Sequence, residues 1–322
     1  MKATGIKKGS NVVDKIFKIG ALVAATYVLA IIVMIVVNLT SGSAQVWQKE
    51  GLTFLIGSNW NSVEDRESYG AAPYIMGTFV TAGIAMAIGM PISFGIAMFL
   101  SELAPKILRT PLSFMVELLA AVPSVIYGLW GLFVFRDYVK DWIEIPLHNA
   151  FGDNSVIFSG TPFGLDILTA SIVLSIMIIP TISSISREIM LAVPNSQREA
   201  AYMLGGTKWE VFRMAVLPYS KSGLIGATIL GLGRAIGETM AVTMLIGNST
   251  GSAAFPTSLF QPGQTMASIM ANEFAEASQG GLHLAALVGI GLILFIIALG
   301  INAVAHLLVA RVVKSHEGAV LA

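Results

Sequence analysis

Residues 187–247 read REIMLAVPNSQREAAYMLGGTKWEVFRMAVLPYSKSGLIGATILGLGRAIGETMAVTMLIG. The second part of this segment, residues 224–247, is an apolar run that is long enough to cross a lipid bilayer. Arg234 and Glu238 nevertheless lie in the middle of that run. The first part is polar and contains five basic residues: Arg187, Arg198, Lys208, Arg213 and Lys221. The segment therefore predicts a basic surface loop followed by a membrane span that contains charge.

The composition is that of an integral membrane protein. Of the 322 residues, 55% are hydrophobic and 12% are charged, and the mean hydropathy is +0.77. Soluble domains contain about 25% charged residues. The net charge is zero, so no overall field favours nucleic acid as a partner. The lack of cysteine excludes disulfides and thiol chemistry in this chain, and we expect no cofactor and no metal site.

Six apolar runs predict an all-α protein with six transmembrane helices, because about 20 apolar residues are needed to cross the hydrocarbon core. The predicted spans are residues 19–39, 73–100, 111–135, 163–185, 224–247 and 282–309. The first run is longer than the apolar core of a secretory signal, so we interpret it as a retained span. Three polar segments are predicted to be loops, the first of them a loop or a short interfacial helix: 40–71, 136–163 and 248–281.

The chain divides into four predicted segments. They are an N-terminus at 1–18, a first helix with its following loop at 19–72, a core of five helices at 73–309 and a tail at 310–322. Lys and Arg concentrate in the N-terminus, the loop after the second span, the basic loop at 187–221 and the tail. By the positive-inside rule, these parts are predicted to face the cytoplasm.

The basic loop carries signals for two short helices. Ser196 stands three residues before Glu199, which is the spacing of a capping box. The glycine pair at 205–206 predicts the end of this first helix. A second helix is predicted at 208–216, and Pro218 is expected to end it. Such a helix–turn–helix on the membrane surface is either a connector between two spans or a docking site for a partner.

This loop resembles the EAA loop of ABC-importer permeases, in which Glu-Ala-Ala is followed by Gly and then by Leu-Pro. The matching residues are Glu199, Ala200, Ala201, Gly205, Leu217 and Pro218. One position departs from the pattern, since Ala215 stands where Ile is common. The resemblance implies a type I ABC-importer permease fold, in which this loop forms a cytoplasmic coupling helix that docks on an ATP-hydrolysing subunit.

The charges inside the fifth predicted span need a separate explanation, because a charge at the bilayer centre costs about 2.5–3.5 kcal/mol on insertion scales. Arg234 and Glu238 are four residues apart, so in a continuous helix they share one face and can pair. They form either a structural ion pair or part of a ligand pathway. A guanidinium suits an oxyanion, and a carboxylate could accept the O–H of a protonated phosphate. Thr239 and Thr243 could add hydroxyl donors along the same helix.

Two stretches narrow the resemblance to the phosphate-specific permeases of this family. They are GLGRAIGETMAVTMLIGN at 231–248 and ELLAAVPSVIYGLWG at 117–131. The resemblance, which extends over most of 73–309, implies a transport role for Arg234 and Glu238. It also brings forward three residues as pathway or structural positions: Glu117, Pro123 and Ser124. The proline is expected either to open its helix toward a pathway or merely to kink it.

The resemblance implies an assembly in a bacterial inner membrane. Its expected partners are a second homologous permease subunit, two ATP-binding subunits at the cytoplasmic face, an external phosphate-binding protein and membrane lipid, with no nucleic acid. The sequence contains no G-x-x-x-x-G-K-[ST] phosphate loop, so ATP hydrolysis is expected in a separate subunit and this chain is not expected to be an enzyme. The predicted function is that of the permease subunit of an ATP-driven phosphate importer.

Three alternatives stay open at this point. The chain is a permease for a related oxyanion, or it is a stand-alone secondary anion transporter, which would predict inverted repeats and broken helices. No repeat is visible in the sequence. A membrane-embedded enzyme is the least favoured alternative, because the four histidines are scattered without the spacing of a metal or catalytic site: His148, His283, His306 and His316.

Overall fold

The computed structural model of the protein describes residues 10–63, 65–152 and 155–320, with side chains from 14 to 309 within these ranges. Residues 1–9 of the predicted N-terminal segment, the last two residues of the predicted tail and the side chain of His316 lie outside the described part. Five helices are long and apolar enough to cross a membrane, and one bent pair of helices makes a sixth span. The predicted all-α fold with six spans is therefore confirmed.

The elements in chain order are α1 (Ser10–Gly42), α2 (Ala44–Glu50), α3 (Thr53–Ile56), β1 (Trp60–Asn61), β2 (Ser68–Tyr69), α4 (Ala72–Leu103), α5 (Lys106–Ala121), α6 (Ser124–Phe151), α7 (Ile167–Leu191), α8 (Asn195–Met203), α9 (Lys208–Gly237), α10 (Met240–Leu245), α11 (Met266–Glu273) and α12 (Leu282–Val320). The two strands pair antiparallel, with Trp60 opposite Tyr69. Four turns within these helices are wider, π-helical turns: Phe99–Leu103 in α4, Gly131–Phe135 and Lys140–Glu144 in α6, and Phe212–Val216 in α9.

Helix α7 is the centre of the bundle and is buried over most of its length. It packs against α4 and α9, and its many Ser, Thr and Ala residues allow this close approach. For example, the hydroxyl of Ser93 in α4 donates to the carbonyl of Gly89 in its own helix at 2.6 Å and lies 3.3 Å from the carbonyl of Ile179 in α7. By contrast, α1 is exposed along its length and packs mainly against α12. The core of the bundle thus lies between α4, α7, α9 and α10.

The third predicted span is not one continuous helix. It is divided at Val122 and Pro123 into α5 and α6, which meet at 89°. Pro123 has no N–H to continue the hydrogen-bond ladder, and it pushes the preceding Val122 into an extended conformation with ψ 128°. The prediction of a polar loop at 136–163 is also wrong for its first half, because α6 continues to Phe151. The charged residues of α6 did not end the helix: Asp137 and Asp141 are exposed, and the buried Glu144 is hydrogen-bonded to Gly164 and Thr169.

The fifth span also differs from the prediction at both ends. Helix α9 begins at Lys208 and runs through Pro218, which does not end it. The proline follows a π-helical turn and stands in the first turn of the next α-helical stretch, where a missing N–H costs least. At the other end the helix stops at Gly237, because Glu238 is extended with ψ 126°, and the short helix α10 follows. The continuous span predicted at 224–247 is therefore wrong.

Two buried carboxyl groups lie at the end of the bundle where α7 begins. Glu144 accepts hydrogen bonds from the backbone N–H of Gly164 at 3.0 Å and from the hydroxyl of Thr169 at 2.9 Å. Asp166 accepts one from the backbone N–H of Thr169 at 2.8 Å, which caps α7. Burial and the neighbouring Glu144 carboxylate raise the pKa of Asp166 to about 8. In the folded protein the Asp166 carboxyl group therefore keeps its proton near neutral pH.

The raised pKa of Asp166 predicts a pH-dependent stability. An unfolded Asp166 releases its proton near its ordinary pKa of 3.8, so the free energy of unfolding falls as the pH rises from about 4 to about 8. We expect Asp166→Asn to weaken this dependence, because an amide keeps the cap on Thr169 and cannot ionise. The measurement is the midpoint of thermal unfolding in detergent between about pH 5 and about pH 9. Equal pH dependence in both proteins would contradict the assignment.

A second prediction concerns the contact between α4 and the segment before α11. A Cβ atom at Gly77 would overlap the backbone carbonyl oxygen of Gln264, whereas one at Gly83, six residues along the same helix, meets nothing within 4 Å. Gly77→Ala is expected to cost about 1–3 kcal/mol through overpacking. Gly83→Ala is the matched control and should be neutral or slightly stabilising, because Ala favours helix over Gly by about 1 kcal/mol. Thermal unfolding of the two variants measures the difference, and equal midpoints would contradict this packing.

Candidate functional site

Arg234 lies in the last turn of α9 and is half-buried. Its Nη1 donates a hydrogen bond to the hydroxyl oxygen of Thr181 in α7 at 2.8 Å. This is the one hydrogen bond that its side chain makes to the described part of the chain. Most of its N–H groups therefore remain available to a ligand, since a guanidinium carries five.

Arg234 also forms part of the wall of a cavity of about 680 Å³ between α9 and α12. The cavity is also lined by Gly233 and Gly237 of α9 and by Leu294 and Asn302 of α12. The cavity is otherwise lined mainly by apolar side chains. A second cavity of about 470 Å³ shares Gly237 and Leu294 with the first and includes Thr239. The break after α9 therefore stands where two cavities adjoin.

Glu238 does not pair with Arg234. The helix ends between them, so they do not share a helical face, and no ion pair joins them in the described ranges. Glu238 Oε1 instead accepts the backbone N–H of Ala241 at 3.2 Å, at the start of α10. The alternative of a structural ion pair assumed a continuous helix, and the structure does not contain that pair. The Arg234 charge is left without a carboxylate partner among the described side chains.

The two threonines predicted at the site have hydroxyls that bond to the backbone. Thr239 donates to the carbonyl of Gly237 at 3.3 Å, and Thr243 donates to that of Thr239 at 2.7 Å. Their oxygens can still accept a hydrogen bond, but their protons are in use. The structure therefore places Thr239 beside the cavities as an acceptor rather than as a donor.

Glu117 lies away from Arg234. Its carboxylate is 3.7 Å from Nη1 of Arg187, which also pairs with Glu188 at 2.6 Å. Arg187 is six residues beyond Thr181 on α7, roughly 9 Å of helix rise. Pro123 forms the break described above, and Ser124 begins α6. Neither residue joins Arg234 in a hydrogen bond within the described ranges.

The helix α8 and the first turns of α9 form a hairpin at the end of the bundle where α4 and α7 terminate. The predicted capping box at Ser196 and Glu199 is wrong, because α8 already begins at Asn195, directly after Pro194. A capping box forms instead at Thr207, whose backbone N–H donates to Glu210 Oε2 at 2.8 Å. The glycine turn is present, since Gly205 has a φ of +80°, which favours glycine.

The hairpin exposes large apolar side chains. Met203 and Leu204 are 87% and 86% exposed, and Tyr202 and Trp209 are also exposed. The motif residues Glu199, Ala200, Leu217 and Pro218 are exposed, whereas Ala201 is buried against Val211 and Ala215. A contiguous exposed apolar surface of this kind is typical of a binding site for another protein.

Two residues with partners in this region were not predicted. Thr181, the partner of Arg234, is a hydroxyl residue within an apolar run. The only feature of the sequence that could have drawn attention to it is the preceding Pro180. Glu102 pairs with Arg198 at 2.9 Å from a position 96 residues earlier in the chain. No local pattern indicates that pair.

The fold and the family of the chain follow from comparisons with known proteins. Residues 89–315 match the model of the family described as binding-protein-dependent transport system inner membrane component. The structure is similar to a chain of a bacterial alginate ABC transporter in complex with an alginate pentasaccharide-bound periplasmic protein, with a TM-score of 0.62, 13% identity and coverage of 96% of this chain and 99% of that one. It is also similar to a chain of the MetNI methionine ABC transporter in an inward-facing conformation, with a TM-score of 0.52, 17% identity and coverage of 76% and 94%. At these identities the likeness shows the fold alone, which is that of type I ABC-importer permeases.

The relatives found by sequence share more residues with this chain than these two structures do. The chain is 45% identical over 307 residues to the phosphate transport system permease protein PstC of Pasteurella multocida (strain Pm70), covering 94% of each. It is 46% identical over 301 residues to the protein of the same name from Xylella fastidiosa (strain Temecula1 / ATCC 700964), covering 92% of this chain and 91% of that one. The chain belongs to the binding-protein-dependent inner membrane components, and within them to the PstC permeases.

The geometry around Arg234 predicts which positions of α9 are reachable from water. A charged guanidinium inside a membrane bundle faces a hydrated cavity, so a thiol beside it should ionise and react. Because the natural chain lacks cysteine, Gly233→Cys on the cavity wall and Ala235→Cys, which is 4% exposed, form a clean pair. We expect a small water-soluble methanethiosulfonate to label Gly233→Cys much faster in membranes. Equal labelling of both would contradict a hydrated cavity at Arg234.

Proposed function

We propose that this chain is the transmembrane permease subunit of an ATP-driven importer of inorganic phosphate, and that Arg234 contacts the phosphate. The observation that carries the proposal is the environment of Arg234. Its guanidinium donates a hydrogen bond to Thr181 at 2.8 Å and has no carboxylate partner in the described chain. Arg234 also lines a cavity between two membrane helices. The names of the relatives, which are phosphate permeases, support the choice of ligand.

The chemistry of the site suits a phosphate ion. The planar guanidinium can donate two parallel hydrogen bonds to phosphate oxygens. Glu238 uses one oxygen to cap α10, and its Oε2 has no hydrogen-bond partner in the described ranges. That oxygen can accept the O–H of a protonated phosphate, and the Thr239 oxygen offers a second acceptor. Sulfate carries no O–H near neutral pH, so these acceptors would select against it.

The proposed assembly extends the translocation pathway beyond this chain. A second homologous permease subunit forms its other half, and an external phosphate-binding protein delivers the ion. Both termini and the α8 hairpin face the cytoplasm of a bacterial inner membrane, as the distribution of Lys and Arg indicates. Two ATP-binding subunits bind at that face, and one of them docks on Glu199 and the exposed Met203 and Leu204, so α8 is the coupling helix. ATP hydrolysis belongs to those subunits, and this chain is not itself catalytic.

Two other transport functions compete with this one. A permease for a related oxyanion would have the same fold and the same arginine, and it would differ in the order of preference among anions. A stand-alone secondary transporter is favoured by one observation, the broken helices at Pro123 and after Gly237, since such breaks are common in those proteins. That alternative does not explain the exposed apolar hairpin.

The experiment that tests the proposal measures phosphate uptake in cells that carry the complete system, together with co-purification of the ATPase. Arg234→Gln should reduce uptake by about two orders of magnitude with the complex intact, because losing one partner of a charge-assisted contact costs about 2–5 kcal/mol. Glu199→Lys should instead reduce co-purification of the ATPase. Arg136→Gln is the control and should transport normally, because the Arg136 side chain is 37% exposed and pairs with its neighbour Asp137 at 3.5 Å.

Three results would contradict the proposal in distinct ways. Normal uptake by Arg234→Gln would show that the charge is structural. Normal ATPase binding and uptake by Glu199→Lys would remove the proposed docking role of α8. Uptake of phosphate by this chain without any ATPase would support a secondary transporter instead.

A further inference from the structure

Arg198 of α8 is enclosed by hydrogen-bond acceptors. Its Nη2 donates to Glu102 Oε1 at 2.9 Å, and its Nε is 3.3 Å from the same oxygen. Nη2 also donates to the backbone carbonyl of Met190 at 2.7 Å, and Nη1 donates to that of Val193. The side chains of Arg198 and Glu102 are only 14% and 12% exposed. All three nitrogens of the guanidinium are therefore bonded within the protein.

These acceptors belong to two different membrane helices. Glu102 lies in the π-helical turn that ends α4. Met190 lies in the last turn of α7, and Val193 lies two residues beyond its end. The Met190 carbonyl also accepts the backbone N–H of Val193 at 3.3 Å. A single side chain thus joins the end of α7 to the carboxylate of α4. Lysine could not do so, because its ammonium lacks the planar fork that reaches several acceptors at once.

The buried apolar residue of α8 packs against α9 and not against α4 or α7. Ala201 packs against Val211 and Ala215 at the start of α9, in a small apolar cluster. A separate apolar cluster joins the ends of α4, α7 and α9 without any residue of α8: Ala97, Met190, Val193, Phe212, Val216 and Leu224. The Arg198 side chain is consequently the polar link from α8 to α4 and α7, and its loss would leave both clusters in place.

Helix α7 leads from this link directly to the proposed phosphate site. Thr181 is nine residues before Met190, which is roughly 14 Å of helix rise. Thr181 holds the Arg234 guanidinium, so a displacement of the end of α7 changes the position of that contact. Pro180 lies beside Thr181 within α7 and removes one hydrogen bond of the helix there, which makes bending at this point easier.

We propose that Arg198 is a positioning residue that transmits movement of the α8 hairpin, through α4 and α7, to the Thr181–Arg234 contact. The inference rests on the proposed function, because it takes α8 as the surface on which the ATPase acts. It adds a route by which ATP hydrolysis reaches the phosphate site. Arg198 itself touches neither the phosphate nor the reacting ATP.

The test uses the complete assembly in proteoliposomes, with this chain, its partner permease, both ATPase subunits and the binding protein. The measured quantity is phosphate taken up per ATP hydrolysed. Arg198→Lys should lower this ratio about tenfold, within the usual range of coupling free energies. Glu102→Gln, which keeps its shape and one acceptor, should lower it less. Lys106→Gln, an exposed cation at the start of α5, is the control and should match the natural protein.

A purely structural role would give a different result. In that case uptake and ATP hydrolysis would fall together, with the ratio unchanged, and the proposal would be overturned. An unchanged ratio at full activity would overturn it as well. If Arg198→Lys does not assemble, the ratio for Glu102→Gln decides. Failure of the proposed function would be distinguishable, because the natural assembly itself would then show uptake that does not depend on ATP.

Discussion

The placement of one guanidinium inside a membrane bundle is the constraint on which the rest of the structure depends. An unpaired charge there costs several kcal/mol unless polar groups or water surround it. Among the described side chains, no carboxylate pairs with Arg234. The protein provides the hydroxyl of Thr181 and a cavity between α9 and α12, and it ends α9 one turn later. The guanidinium therefore stays available to an anion instead of being held by an ion pair.

Two of the membrane spans are broken, and their freed backbone groups face the same cost of placing polar groups inside a membrane. Backbone groups freed inside a membrane are tolerated only where they are buried in protein or line a cavity. The break after Gly237 lies where two cavities adjoin, and the break at Pro123 separates α5 from α6. Tyr127 of α6 donates to the carbonyl of Leu119 in α5 at 3.0 Å, which fixes the bend. Helix α6 then packs against α10, so the two broken spans support each other next to the site.

Hydropathy predicted the number of spans, because it depends only on composition and length. An opening or kink at Pro123 was predicted, but the break after Gly237 was not. A four-residue spacing such as that of Arg234 and Glu238 describes a shared face only if the helix continues. The capping box was placed at Ser196, although Thr207 and Glu210 have the same spacing and Pro194 already set the start of α8. The partners of Arg234 and Arg198 come from distant parts of the chain, and no local pattern reveals such pairs.

The most direct test of the central claim is an electron cryo-microscopy structure of the complete assembly, arrested during transport with phosphate present. The account predicts phosphate within hydrogen-bond distance of the Arg234 guanidinium, with Thr181 still holding the other side of that group. Density for phosphate elsewhere in the pathway, with Arg234 bonded only to protein groups in every transport state, would contradict it.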